Sequence, residues 1–370
     1  SKLKEALAAI RADIDNVRLA WRWAVEHDQW AELTAAIESL WLFYEIQGWF
    51  LEGNDAFARL VARLRQHLEQ PAVAETAAPP EETRPMLGVA LAHQGWFQVR
   101  LGLRQQVGAT GQESLAILKT VRHRTQQERA LSLYFLSVLA RFREQYDAAR
   151  NLLHESLVLF DRVGDHWSSA RVLMALGQTA RWLGQYEEAE QHSQRSIAIF
   201  EAMGEQRWIV YSISTLGRVA MARGQYARAE TLHQECLQRR RALGDRPGMS
   251  FTLEDLGDVA RLQGQPRQAQ EYYEQSLTLA KDTGNRTEVA YALWGLGKLA
   301  EIRGDFEEAQ QLAQQSKDFW QTYRSDLYLG WAVLGSGDYQ AAELYFHGVL
   351  KLATEAQRLP LVLEALRGFA

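Results

Sequence analysis

Leu-Gly-Gln-Thr-Ala-Arg-Trp-Leu-Gly-Gln-Tyr-Glu-Glu-Ala occupies residues 176–189, and variants of it return at 216–229, 256–269 and 296–309, a spacing of forty. Gly177, Gly217, Gly257 and Gly297 each follow a leucine, and Ala180, Ala220, Ala260 and Ala300 stand three residues further on. Gly184-Gln185-Tyr186, Gly224-Gln225-Tyr226, Gly264-Gln265-Pro266 and Gly304-Asp305-Phe306 come next, each with an alanine five residues after its glycine. A second turn opens every copy, at Gly164-Asp165, Gly204-Glu205, Gly244-Asp245 and Gly284-Asn285. A fixed period in the range of about 20–50 residues is the mark of a solenoid, and it outranks local propensity.

Between the two turns lie stretches without internal proline in which apolar residues recur at helical spacing. Ala170, Leu173, Leu176, Ala180 and Leu183 fall on one helix face. The turn glycines suit a left-handed conformation that is cheap only for glycine, and Pro266 stands at the first turn of a helix, where its missing N–H does no harm. Small residues form a column of their own, Ser114, Ser156, Ser196, Cys236, Ser276 and Ser316, which lets paired helices approach closely. One such hairpin cannot bury its apolar face alone, so neighbours stack. The expected fold is all-α, a right-handed α-solenoid (superhelix) of antiparallel helix hairpins.

These residues resemble the tetratricopeptide repeat, whose Leu-Gly, Ala and Ala pattern is matched by Leu176-Gly177, Ala180 and Ala189. The period of forty departs from the usual thirty-four or so, which adds about one and a half turns of helix to each hairpin. Such long repeats are similar to those of bacterial signalling ATPases and of kinesin light chain. The stretch Asp15-Asn16-Val17-Arg18-Leu19-Ala20-Trp21-Arg22-Trp23-Ala24 resembles the opening of the repeat region in STAND-type regulators related to AfsR and MalT. In that family the repeats follow a nucleotide-binding domain and act as a sensor for an inducer or partner.

Outward from the regular copies the pattern decays. Residues 1–68 carry degenerate repeat helices, with Gln47-Gly48-Trp49-Phe50 in the Gly-Gln-Tyr place. Residues 69–84, with Pro71, Pro79 and Pro80, read as a flexible loop inserted between hairpins. The regular array is expected over 85–323, and 324–370 holds a shortened repeat and a terminal helix, because Gly330 and Gly337 follow Gly297 and Gly304 by thirty-three residues. Ser1 in place of Met, and Leu363, Leu366 and Phe369 with no hairpin to cover them, suggest a cut piece of a longer chain. Those residues, and Leu7, Ile10, Val17 and Trp21 at the other end, predict end-to-end self-association on concentration.

The chain of 370 residues has a net charge of −5, which gives no electrostatic case for nucleic acid. One cysteine, Cys236, allows no internal disulfide and suits a reducing, cytoplasmic setting. No apolar run is long enough to span a membrane. No Walker A loop, G-x-S-x-G or H-E-x-x-H occurs, so neither a cofactor nor catalysis is expected of this stretch. His233 and Cys236 share a helix face at the spacing of half a metal site, but no second pair accompanies them, and both read as packing. Glu187, Glu188, Glu307 and Glu308 fall where a helix N-terminus favours acid.

The resemblance implies a concave groove lined by the first helix of each hairpin. Two of its columns read Gln178, Arg218, Asp258, Lys298 and Arg141, Arg181, Met221, Arg261, Glu301. Tyr134, Phe142, Trp182, Tyr211, Phe251, Tyr291 and Trp294 fill others. Aromatics with arginines are the composition of a binding surface, for a protein, a peptide or a small inducer. Arg218, Asp258 and Lys298 follow one another in successive copies, so pairing along that column is the alternative to binding. A free-standing scaffold that captures an extended peptide or helix is the alternative to a STAND sensor.

Overall fold

The turns decide the architecture, and each does two jobs. Gly164, Gly204, Gly244 and Gly284 are left-handed, with φ between 66° and 73°, so each ends one helix. The next side chain starts the following helix: Asp165 accepts from the amide of Ser168, Asp245 from Gly248 and Asn285 from Glu288, at 3.0–3.3 Å. Gly184, Gly224, Gly264 and Gly304 take the same left-handed form at the other turn. Asp28 and Glu144 adopt it without being glycine, with φ of 56° and 58°.

The computed structural model describes residues 11–69, 80–101, 103–121, 125–319, 323–355 and 366. Among them every regular element is an α-helix, and the fold is an all-α solenoid of consecutive helix hairpins. The chain forms two compact units, residues 1–184 and 185–370.

The first unit holds α1 (Ile14–Glu26), α2 (Trp30–Gln47), α3 (Phe50–Glu69), α4 (Pro80–Arg100), α5 (Arg104–Thr120), α6 (Gln126–Phe142), α7 (Tyr146–Val163) and α8 (His166–Trp182). The second holds α9 (Tyr186–Ala202), α10 (Gln206–Ala222), α11 (Tyr226–Leu243), α12 (Arg246–Leu262), α13 (Pro266–Asp282), α14 (Arg286–Ile302), α15 (Phe306–Phe319), α16 (Tyr323–Gly335) and α17 (Tyr339–Glu355). In the second unit α10 pairs with α11, α12 with α13, α14 with α15 and α16 with α17, and α10, α12 and α14 also touch one another in sequence. These first helices therefore form a continuous layer.

The small-residue column does more than allow close approach. Ser276 on α13 donates to the carbonyl of Ser250 on α12 at 2.9 Å, and Ser316 on α15 donates to Ala290 on α14 at 3.0 Å. Ser114 and Ser156 do the same to Gly88 and Ala130, both at 2.7 Å. Each bond spans twenty-six residues and staples the second helix of a hairpin onto the first turns of its partner. Cys236 keeps the geometry with a weaker donor, its Sγ lying 3.4 Å from the Val210 carbonyl.

The glycine after each leucine also has a tertiary reason. A Cβ on Gly257 would lie 2.5 Å from the ring of Tyr273, and one on Gly217 would lie 2.5 Å from His233 Nε2. Tyr273 and His233 stand sixteen residues later on the paired helix, and both are fully buried.

Some expectations change. The loop expected over 69–84 is helical at both ends, since α3 runs to Glu69 and α4 starts at Pro80; residues 70–79 lie outside the described part. Trp21, expected on an exposed terminal surface, is buried against Phe57, with its indole N–H 3.4 Å from the Ala56 carbonyl. Leu7, Ile10, Leu363 and Phe369 lie outside the described residues, and Leu366 is exposed.

Candidate functional site

In the second unit the layer of α10, α12 and α14 brings three rows of side chains to one face. The outermost is aromatic: Tyr211 and Phe251 are 38 % and 37 % exposed, and Tyr291 is half-buried. One helical turn on come Ser214, Glu254 and Trp294, and after those Arg218, Asp258 and Lys298. The forty-residue period stacks these rows, because each copy repeats the same helix at the same rotation.

The charged row does not pair along its own column. Arg218 Nε donates instead to Asp255 Oδ1 at 2.7 Å, and Ser214 lies 3.4 Å from the other carboxylate oxygen. Asp258 accepts from Arg261 at 2.9 Å and from the Tyr273 hydroxyl at 2.8 Å. The ammonium of Lys298 lies 3.8 Å from the centre of the Trp294 ring. The expected alternative of mutual pairing among Arg218, Asp258 and Lys298 is thereby corrected: each finds its partner on its own helix or on a neighbour at another repeat position.

Beneath this face sits a buried polar cluster. Glu254, Asp255, Glu288, His233 and Arg240 are all buried. Burial pushes the Glu254 carboxyl well above its usual range, and the nearby Asp258 and Asp255 push it the same way. Burial also raises Glu288 to about 8, against the pull of Arg218. His233 is lowered by burial and is neutral at pH 7, so its approach to Asp255 at 3.5 Å is a polar contact and not an ion pair. Arg218 is raised, chiefly by the charge of Asp255. Arg240 turns its guanidinium toward the Gly248 carbonyl, with Asp245 at 4.0 Å, and lies 5.3 Å from the centre of the Tyr211 ring.

The first unit treats its expected site residues differently. Tyr134 is buried and serves as a wall, because Arg171 lies 5.0 Å from its ring, 3.9 Å from Trp96 and 4.6 Å from Trp167. Arg141 donates to Gln178, which links two expected columns directly. Arg181 lies 4.1 Å over Trp182, which is exposed but stacked on Tyr146. Five of the six expected residues, Phe142 among them, thus stay at the surface or partly so, and Tyr134 belongs to the interior.

Residues 128–202 and 209–282 match the tetratricopeptide repeat family. That stretch is a tetratricopeptide-repeat array. No curated protein sequence matches the chain. Among solved structures it is similar to a Rap protein complexed with Competence and Sporulation Factor, with a TM-score of 0.65 at 13 % identity, covering 92 % of this chain and 96 % of that one. It is similar also to the quorum sensor NprR from B. thuringiensis in its apo form, with a TM-score of 0.60, 13 % identity and coverage of 94 % and 100 %. A STAND protein with a tetratricopeptide-repeat sensor from Pyrococcus horikoshii gives a TM-score of 0.53 at 15 % identity, covering 86 % of this chain and 48 % of that one. The chain spans about half of that STAND protein. At these identities the likeness is one of fold.

Within the tetratricopeptide array the sequence did hold a signal for the missed residues. Asp255 stands in a column whose other members are Ala175, Thr215 and Gly295, and Glu254 in one with Met174, Ser214 and Trp294. A charged residue in a column of small or apolar ones marks a local exception to packing. His233 likewise shares a column with Ser193, Tyr273 and Ala313. Its burial removes it from the metal pairing considered with Cys236, whose thiol is pushed up to about 12 by burial and faces the Val210 carbonyl. Among the described residues no group of three or more potential ligands gathers for a metal ion, and no helix is long and apolar enough to cross a membrane.

Proposed function

We propose that this chain is a non-catalytic binding module whose second unit holds an extended peptide along the face of α10, α12 and α14. The observation that carries this is the rail of Tyr211, Phe251 and Tyr291, repeated every forty residues beside a row of fixed charges, with the first two more than a third exposed and Tyr291 half-buried. Aromatic side chains lose little entropy on binding and bury a large area, so a rail of them is a favourable site for affinity. The spacing of equivalent residues on stacked helices, about 9–10 Å, matches a peptide in extended form touching each repeat with every third residue. The structural likeness to the Rap protein bound to Competence and Sporulation Factor supports the same reading.

The test is selection of binders from a displayed heptapeptide library on the intact protein, followed by titration of the selected peptides. Substituting Tyr211→Ala together with Phe251→Ala should weaken binding by about a hundredfold, since each exposed aromatic anchor contributes on the order of 1–2 kcal/mol. Unchanged affinity in that double variant would place the contact elsewhere.

A second reading concerns context. The Asp15–Ala24 opening and the likeness to the archaeal STAND sensor favour a module that gates an ATPase in a cytoplasmic regulator. Gating requires the bound peptide to prefer one of two states. A gene whose reading frame encodes no P-loop beside these repeats would remove it and leave the free-standing scaffold.

A further inference from the structure

Two carboxylates of the second unit have no cation assigned to them. Glu254, on α12, is 8 % exposed, and no hydrogen bond or ion pair reaches its carboxylate among the described residues. Glu288, near the start of α14, is fully buried, and neither of its oxygens has a hydrogen-bond partner. The other charges nearby are already committed. Arg218 serves Asp255, Arg261 serves Asp258, and Arg240 is turned to the Gly248 carbonyl with Asp245 alongside. His233 is neutral. A buried carboxyl without a partner is pushed toward its neutral form, and a cation brought by a ligand is what would restore its charge.

The rail above shows what kind of group belongs there. Arg240 lies against Tyr211, and Lys298 lies over Trp294, so cations already stand on the rings of this face at both neighbouring repeats. Phe251 has a ring 37 % exposed, and among the described residues no cation lies over it. Glu254 follows Phe251 by three residues on the same helix, so carboxylate and ring share one face about one turn apart. Ring and carboxylate together suit an aliphatic stem with a charged end, which packs on the first and donates to the second.

We infer that Glu254, walled by Phe251, receives the lysine or arginine side chain of the bound peptide. The assignment rests on the peptide groove proposed above and fixes the chemistry of one subsite within it. Arg218 pairs with Asp255 and Arg261 with Asp258, so the charges closest to Glu254 are already engaged with one another. Glu288, buried and held neutral up to about pH 8, leaves Glu254 as the acid of this subsite. A neutral or acidic residue at the same place would leave Glu254 unanswered or oppose it, and the groove discriminates on that ground.

The experiment uses the heptapeptide pool selected on the intact protein. Enrichment of lysine or arginine at one position is expected in the pool. A synthetic peptide from it should bind Glu254→Gln about tenfold more weakly or worse, the scale of one charge-assisted hydrogen bond. Replacing its basic residue by citrulline or norleucine should weaken binding to the wild type by a similar factor and have little further effect on Glu254→Gln, because the two changes remove the same interaction. The citrulline arm leaves the protein untouched, so it decides the matter even where the variant folds poorly. Free arginine amide should compete only at concentrations far above those of the peptide, which separates a peptide side chain from a free amine. A pool with no basic enrichment, or equal affinity of the basic and citrulline peptides for the wild type, overturns the assignment. If such a pool still depends on Tyr211 and Phe251, the groove stands without its cation subsite. Recovery of no peptide at all overturns both.

Discussion

Replacing Glu288 by glutamine should make this protein more stable, and increasingly so as the pH rises. The wild-type carboxyl is fully buried and neither oxygen is hydrogen-bonded. Arg218 and Arg240 favour its charged form and Asp255 opposes it, but burial outweighs them and moves its proton affinity from 4.5 to about 8. Below pH 4.5 the group is neutral in both folded and unfolded chains, so its contribution to stability is fully present there. Above that value the unfolded chain releases the proton and the folded chain holds it, so stability falls until about pH 8, where the folded group also ionises. A displacement of about 3.5 pH units, at about 1.4 kcal/mol for each, sets an upper bound of about 5 kcal/mol on the loss. Glutamine has no proton to lose and keeps the shape. Urea midpoints of the wild type and Glu288→Gln should therefore agree near pH 4.5 and separate steadily toward pH 8, with the variant higher. His233, lowered by burial, contributes with the opposite sign, but it is present in both proteins and cancels in the comparison. A variant that is equally or less stable at pH 8, or a difference that does not change with pH, would refute the account of Glu288 as a buried, partnerless acid.

Other substitutions test the fold at single points. Gly257→Ala would drive a methyl group to 2.5 Å from the Tyr273 ring and should cost about 1–3 kcal/mol in thermal or denaturant unfolding. Cys236→Ser restores the hydroxyl found at Ser276 and Ser316, and should leave stability unchanged or raise it by about 1 kcal/mol, read from the denaturation midpoint. Glu144→Gly places glycine where φ is 58° and should stabilise by about 1 kcal/mol, whereas the same change at an ordinary helical site would destabilise.

The architecture was legible because a solenoid repeats its instructions. Gly164, Gly204, Gly244 and Gly284 state the left-handed turn four times, and the Asp or Asn after three of them states the cap, so fold class, hairpins and turn positions could be read without coordinates. The aromatic rail of Tyr211, Phe251 and Tyr291 was legible for the same reason, since a fixed period keeps equivalent residues on one face. What the repeat could not state is what differs between copies. Asp258 and Arg218 sit in one column, yet Asp258 pairs with Arg261 and Arg218 with Asp255, because the nearest opposite charge lies one turn along a helix or across to the next one. Tyr134 looked like groove surface, but the stacking of α4, α6 and α8 turns it into the wall of a box around Arg171. Burial sets Glu254 and Glu288 apart from the many exposed glutamates of this chain, and only the odd column of Glu254 hinted at it in the sequence. Periodicity fixes direction along and around a helix; solvent exposure and charge pairing depend on which neighbours the packing brings within a few ångströms, whether one turn away as Arg261 is from Asp258 or thirty-seven residues away as Asp255 is from Arg218.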